Sequence, residues 1–239
     1  MISQMNENNT KNTLFQVLYE DNHLIAVSKA NNVLVQSDKT GDVPLEKLVK
    51  MYIKKKYNKP GNVFLGVIHR IDRPVSGLVL FARTSKALTR MNELFKKQKI
   101  TKIYWAIVKN APPQTHAQLH HFISRNKKIN KSWISKTQGP NTKEALLTYT
   151  YKAASKRYHL LEVNLHTGRH HQIRAQLSYI GSPIKGDLKY GAKRSNPNGG
   201  ISLHAHSVTF THPVTKQHTH IVAPCPQDIL WQEFERSVL

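Results

Sequence analysis

The stretch His69-Arg70-Ile71-Asp72-Arg73-Pro74-Val75-Ser76-Gly77 sets a single carboxylate among arginines. From Lys47 through Asn92, Asp72 is the only acidic residue, against eleven lysines and arginines. Flanking guanidinium groups favour the ionised carboxylate and lower its pKa. The result is a charged oxygen at neutral pH in a field that also attracts phosphate. Such an oxygen can act as nucleophile or general base. The same charge pattern equally suits a structural ion pair that fixes a loop.

A second chemistry-bearing stretch is Thr167-Gly168-Arg169-His170-His171-Gln172-Ile173-Arg174-Ala175-Gln176-Leu177. A glycine-arginine lead into a helix N-terminus offers free N–H groups and partial positive charge to a phosphate. Fourteen histidines raise the question of a metal. His204 with His206, and His218 with His220, place both rings on one strand face. No carboxylate or cysteine stands nearby to complete a ligand set, so no metal is expected and these faces read as polar or RNA-contacting. Cys225, the only cysteine, excludes an internal disulfide and lacks the paired base of a nucleophilic thiol. Neither a phosphate-binding P-loop nor a dinucleotide fingerprint occurs.

These groups need elements to hold them. The apolar runs 63–68 and 78–82 read as buried strands, and Pro74 and Gly77 turn the chain between them. Asp72 is thereby expected on a loop between two core strands. Ahead of it, 15–20 and 24–28 form a strand pair around Asp21-Asn22-His23. A helix over 44–57 follows, with Leu45, Leu48, Val49, Tyr52 and Ile53 inward and its lysines outward. Ser85 is expected to cap a second helix. Residues 102–108 alternate as a strand carrying Tyr104, by pattern alone a core aromatic. The segment 112–140 holds the basic run Arg125-Asn126-Lys127-Lys128-Ile129-Asn130-Lys131, either a nucleic-acid-contacting insertion or a soluble hairpin. Strands are expected at 145–151, 158–165, 203–211 and 218–222. One helix ends at Gly181, and a short terminal helix covers 230–234.

The chain has 239 residues and a formal charge of +22, with Lys plus Arg 36 against Asp plus Glu 14. The length suits one domain or two tightly packed subdomains. The charge favours a polyanion: nucleic acid first, an anionic membrane second. Apolar runs of about six residues are far too short to span a bilayer. Residues 1–13 lack an apolar secretory core and read as a disordered N-terminus of a cytoplasmic protein.

The sequence H-R-I-D-R-P-V-S-G-L-V-L-F-A-R-T resembles the signature of the RluA-type RNA pseudouridine synthases, usually H-R-L-D-R-x-T-S-G-L-L-L-x-A-K-T. Four further blocks agree in order. Lys102–Val108 resembles K-x-Y-x-A-x-V, 167–174 resembles T-G-R-x-H-Q-I-R, 183–191 resembles P-x-x-G-D-x-x-Y-G, and Leu203-His204-Ala205 is another landmark. Two departures are Lys29-Ala30-Asn31-Asn32, where the family has K-P-x-G, and Gln176, where it usually has histidine.

The resemblance implies an α+β pseudouridine synthase catalytic fold over 14–239. Its long, mixed, mostly antiparallel sheet would carry flanking helices and a central RNA-binding cleft. The small extra RNA-binding domain that precedes the catalytic one in many relatives is not expected. Asp72 is the implied catalytic residue, Tyr104 lies against the target uracil, and Arg174 pairs with Asp72. Arg70, Arg169 and His170 are assigned to phosphate, with Gln172 beside them on the RNA surface. Arg73 or His69 would fill the space the base leaves. The implied reaction uses no cofactor and no metal. The partner is a structured ribosomal or transfer RNA, no membrane is involved, and the enzyme is a monomer. The rival reading is a non-catalytic RNA-binding or ribosome-assembly protein on the same fold. A metal-dependent nuclease would need a carboxylate cluster that the chain lacks.

Overall fold

A computed structural model describes residues 14–38 and 40–238; the expectation for 1–13 lies outside them. An 11-stranded sheet forms the body, with helices against it. In chain order the elements are β1 (Phe15–Glu20), β2 (Leu24–Lys29), α1 (Leu45–Lys56), β3 (Gly66–Val67), β4 (Ser76–Ala82), α2 (Ser85–Lys96) and β5 (Thr101–Val108). There follow β6 (His116–Asn126), β7 (Lys131–Ser135), β8 (Lys143–Ala154), β9 (His159–Leu165) and α3 (Gln172–Tyr179). A 3-10 turn (Leu188–Tyr190), β10 (Leu203–Thr211), β11 (His218–Val222) and α4 (Ile229–Val238) complete the chain.

Along the sheet the order is β1-β2-β4-β10-β5-β9-β8-β6-β7. The junction of β4 with β10 is the one parallel pairing among the described strands, and it lasts for two residue pairs, His204 with Ser76 and Ala205 with Gly77. Beyond it the two strands part: β4 takes β3 as partner and β10 takes β11. Gly77 makes the close approach possible. Its φ is +107°, and a Cβ there would lie 2.3 Å from the Ala205 carbonyl oxygen, so only glycine fits.

All seven residues of β4 are buried, as expected of a strand covered on both faces. The larger core lies around β2 and β4 and the inner faces of α1 and α2. A second core joins Trp105, Ile107 and Leu160 to Trp231 and Phe234 of α4. Burial of each such large side chain contributes roughly 1.5–3 kcal/mol, which fixes this helix to the sheet.

Several expectations needed correction. The strand over 63–68 shrinks to Gly66–Val67, because the free edge of β4 narrows to the length facing Phe81 and Ala82. Thr84, not Ser85, caps α2, its Oγ1 accepting from the Ala87 N–H at 3.2 Å. For the basic segment 112–140 the hairpin reading holds, with β6 and β7 paired at the end of the sheet. The view that the histidine pairs stand far from any cysteine also fails. The segment after β11 brings Cys225 to His204 and His206, with their ligand atoms within 4.8 Å of one another.

Candidate active site

Asp72 stands on the loop between β3 and β4. The Val75 N–H donates to the Asp72 carbonyl (3.0 Å), closing a turn with Arg73 and Pro74 at its tip. The departing sequence at 29–32 holds that turn from behind. Asn32 adopts φ +65° and its N–H donates to the Arg73 carbonyl at 2.8 Å, in the left-handed region asparagine tolerates. Asn31 Nδ2 donates to the Pro74 carbonyl at 2.7 Å. Lys29, almost wholly buried, donates from Nζ to the carbonyls of Ala30 (3.0 Å) and Arg73 (3.1 Å). Burial pulls the Lys29 pKa down from 10.5 to about 7, against the opposing pull of Asp72. Three hydrogen bonds from 29–32 to the carbonyls of Arg73 and Pro74 therefore hold the turn where the family has K-P-x-G; the Ile201 N–H, donating to Pro74 O at 3.0 Å, ties β10's approach to the same turn.

The two neighbouring arginines do not pair with Asp72. Arg73, at the exposed tip of the turn, bonds Asp42 at 2.8 Å, and Arg70 reaches Gln36 at 3.2 Å. The partner is Arg174 of α3, whose Nη1 donates to Asp72 Oδ2 at 3.0 Å across 102 positions. Its other two nitrogens, Nε at 2.7 Å and Nη2 at 2.9 Å, are held by the two oxygens of Asp187. This planar two-point grip aims the third nitrogen. Burial opposes the Arg174 charge, but Asp187 and then Asp72 outweigh it and raise its pKa. The Tyr190 ring lies against the guanidinium at 5.1 Å.

His171 sits at φ +54° at the start of α3. Its Nε2 is 3.6 Å from Asp72 Oδ2. Burial and the Arg174 charge push its pKa down to about 2, so it faces the carboxylate as a neutral imidazole. Its Nδ1 meets the Tyr190 hydroxyl at 3.0 Å, and the same hydroxyl accepts from Ser132 N–H of β7 at 2.7 Å.

A cleft of about 910 Å³ opens over Asp72, and Asp72, Tyr104, Arg174, His69, Arg70, Arg73, Arg169, His170 and Gln172 all line it. Tyr104 of β5 is buried, and burial together with the Asp72 charge raises its phenol pKa. The remaining side chains differ in freedom. Gln172 spends its amide on the loop, accepting from Thr167 Oγ1 (2.8 Å) and Arg169 N–H (3.0 Å) and donating to Leu146 O (3.2 Å). His170 meets Ser132 Oγ at 2.8 Å and Asn130 at 3.0 Å, so both ring nitrogens fasten the β6–β7 hairpin. His69 accepts from Leu80 N–H at 3.0 Å, and burial pushes its pKa down to about 3. Arg70 and Arg73 are exposed; Arg169 is half-buried and its Nε donates to Glu144 O at 2.7 Å, leaving its remaining nitrogens for a ligand.

A carboxylate aimed by a guanidinium, beside an aromatic ring in a cleft rich in arginine, suits chemistry on a nucleoside. The family described as RNA pseudouridylate synthase matches residues 23–179. The chain belongs to that family. This RNA pseudouridine synthase is 31% identical over 239 residues to ribosomal large subunit pseudouridine synthase C of Buchnera aphidicola subsp. Schizaphis graminum, covering 96% of this chain and 72% of that one. It is also 31% identical over 235 residues to tRNA pseudouridine synthase C of Haemophilus ducreyi, covering 90% and 92%. Among solved structures, human RNA pseudouridylate synthase domain containing 4 superposes with a TM-score of 0.74 at 20% identity, over 93% of this chain and 92% of that one. That likeness concerns the fold, the α+β pseudouridine synthase fold with its large mixed sheet. The synthase is an isomerase, of the RluA type.

The sequence reading gave no role to Asp187, Lys29, His171 or Tyr190. For Asp187 a signal existed: from Val163 through Gln227 it is the only acidic residue, as Asp72 is in its own stretch. For Lys29 none did, because lysines are frequent here and its burial depends on strand pairing.

Proposed function

We propose that Asp72 is the catalytic carboxylate of uridine isomerisation in a structured ribosomal or transfer RNA stem-loop. Residues 14–239 would work as one catalytic domain, as a monomer in the cytoplasm. The observation that carries this reading is the Asp72–Arg174–Asp187 chain, which ends in a carboxylate oxygen lining the cleft beside Tyr104.

The target uridine must leave its stack, at a few kcal/mol in a duplex and less in a loop. In the cleft its uracil lies against Tyr104, and its flanking phosphates meet Arg70, Arg73 and Arg169. Asp72, as nucleophile or as base, acts at the ribose while the N1–C1′ bond breaks. The uracil turns, C5 bonds to C1′, C5 loses its proton and N1 gains one, so atoms and charge balance without a cofactor. Arg174 keeps Asp72 aimed throughout. Of the other side chains assigned to RNA, His69, His170 and Gln172 are engaged within the protein and support the cleft walls.

Relatives are named for both large-subunit ribosomal and transfer RNA, so the target is read best from RNA itself. Pseudouridine-specific chemical sequencing of RNA from a deletion strain identifies the missing position. With that RNA, Asp72→Asn should abolish tritium release from C5-labelled uridine while affinity falls little or rises. Turnover above about a hundredth of the wild-type rate removes Asp72 from the chemistry.

A further inference from the structure

Outside the cleft, a cluster of soft and borderline donors lies between the sheet and α4. His204 and His206 project from one face of β10, and Cys225 follows β11, with their ligand atoms within 4.8 Å of one another. None of the three lines the catalytic cleft. Glu235, on the α4 face that carries Trp231, hydrogen-bonds the thiol. The ordinary alternative is an inert polar pocket in a core, with Cys225 as a small apolar residue.

Two details favour a ligand. His206 Nδ1 is buried and has no hydrogen-bond partner, an unusual state for a buried polar atom. The Trp105 ring stacks on this imidazole at 4.0 Å and 12°, fixing its plane. His204, in turn, is oriented as a metal ligand would be. Its Nδ1 meets Ser76 Oγ at 2.9 Å, while Nε2 makes a longer 3.3 Å hydrogen bond to Ala223 O, on the segment that carries Cys225, which an ion would replace. A hydrogen bond at one ring nitrogen that sets the tautomer for the other is the usual support of a metal-bound histidine.

We propose that His204, His206 and Cys225 form a structural zinc site, with Glu235 or a water as fourth ligand. Two imidazoles and one thiolate are donors that zinc accepts in tetrahedral geometry. Nitrogen and sulfur donors on such an ion stand about 3.6 Å apart, so the cluster closes by about 1 Å on binding. Burial pushes both imidazoles toward the neutral form that coordinates, His204 to about 3. Burial and then Glu235 push the Cys225 thiol up to about 12. On binding, the Cys225 thiol gives up its proton to solvent as the S–Zn bond forms. The ion would join β10, the end of β11 and α4. Through Ser76 it would also brace the end of the catalytic loop. The inference does not depend on the reaction assigned to Asp72.

The test is a cobalt titration of untagged, chelator-treated protein. One equivalent of Co²⁺ should give a thiolate-to-cobalt charge-transfer band with intense tetrahedral visible bands, and zinc should abolish both. Cys225→Ser should remove the charge-transfer band, and His206→Gln should weaken binding by at least tenfold. Ser76→Ala should weaken zinc binding by about 10- to 100-fold. If a variant does not fold, the wild-type spectrum still decides. Cobalt absorption without a thiolate band means adventitious binding to surface histidines and overturns the proposal. So does a charge-transfer band that survives Cys225→Ser.

Discussion

Replacing Arg174 by lysine separates charge from shape. The guanidinium uses three nitrogens on two carboxylates, Nε and Nη2 on Asp187 and Nη1 on Asp72. A single ammonium cannot span both. Asp187 is 1% exposed, whereas the Asp72 side chain is 28% exposed. An unpaired buried carboxylate costs about 3–5 kcal/mol, so the ammonium of Arg174→Lys should settle on Asp187 and leave Asp72 to solvent. The lost charge-assisted hydrogen bond is worth about 1.5–3 kcal/mol. If all of it is expressed at the transition state, the single-turnover rate falls by about 10- to 150-fold. Stability should fall by less than in Arg174→Met, which strands Asp187. The assay is tritium release at saturating enzyme, with RNA affinity and denaturant unfolding measured on the same samples. In a double mutant, Arg174→Lys should add little to Asp72→Asn, since residues acting as a unit are non-additive. A lysine variant within about threefold of the wild-type rate, or one whose loss lies wholly in RNA affinity, refutes the pairing.

Lys29 supplies a pH test. Its folded-state pKa, about 7, lies below its ordinary 10.5 because of burial. The unfolded chain therefore binds more protons between these values, and stability rises with pH there; the penalty is complete below pH 7. Wild type should gain about 2 kcal/mol on Lys29→Met between pH 7 and 9 in paired denaturant titrations, and a constant difference would mean an ammonium charged throughout. Tyr104→Phe should retain most activity because the ring carries the role. Tyr104→Leu should lose about 1–3 kcal/mol of stacking in single-turnover assays, and equal rates for the two would remove the ring from the base site. RNA affinity should fall with salt at a log–log slope near −3.5 for about five phosphate contacts; a slope near zero would place binding away from the basic surface.

Much of the fold could be read from local pattern. Strands β10 and β11 lie where alternation and turn residues put them, and α1 differs from expectation by a residue at each end. Asp72 was legible because isolation in a basic stretch is a sequence property. Its partner was legible only through family resemblance: Arg174 on α3 looks like any helix arginine until folding closes 102 positions. The flanking arginines misled, because charge adjacency in sequence ignores direction, and a turn sends Arg73 outward to Asp42. The basic segment 112–140 was opaque for a similar reason. Its role as a cleft wall comes from bonds to His170 and Tyr190, on elements far along the chain.

The two-pair junction at Gly77 has a consequence for the order of synthesis. Asp72, Tyr104, Arg174 and Asp187 all precede residue 203, so a chain halted there already carries every group of the carboxylate–guanidinium relay. Yet the strand that joins the two halves of the sheet, β10, has not been made. Contacts that distant in sequence close late in folding. An unfinished chain, still tethered to the ribosome whose RNA surrounds it, thus lacks the strand that seats the Asp72 loop beside Tyr104.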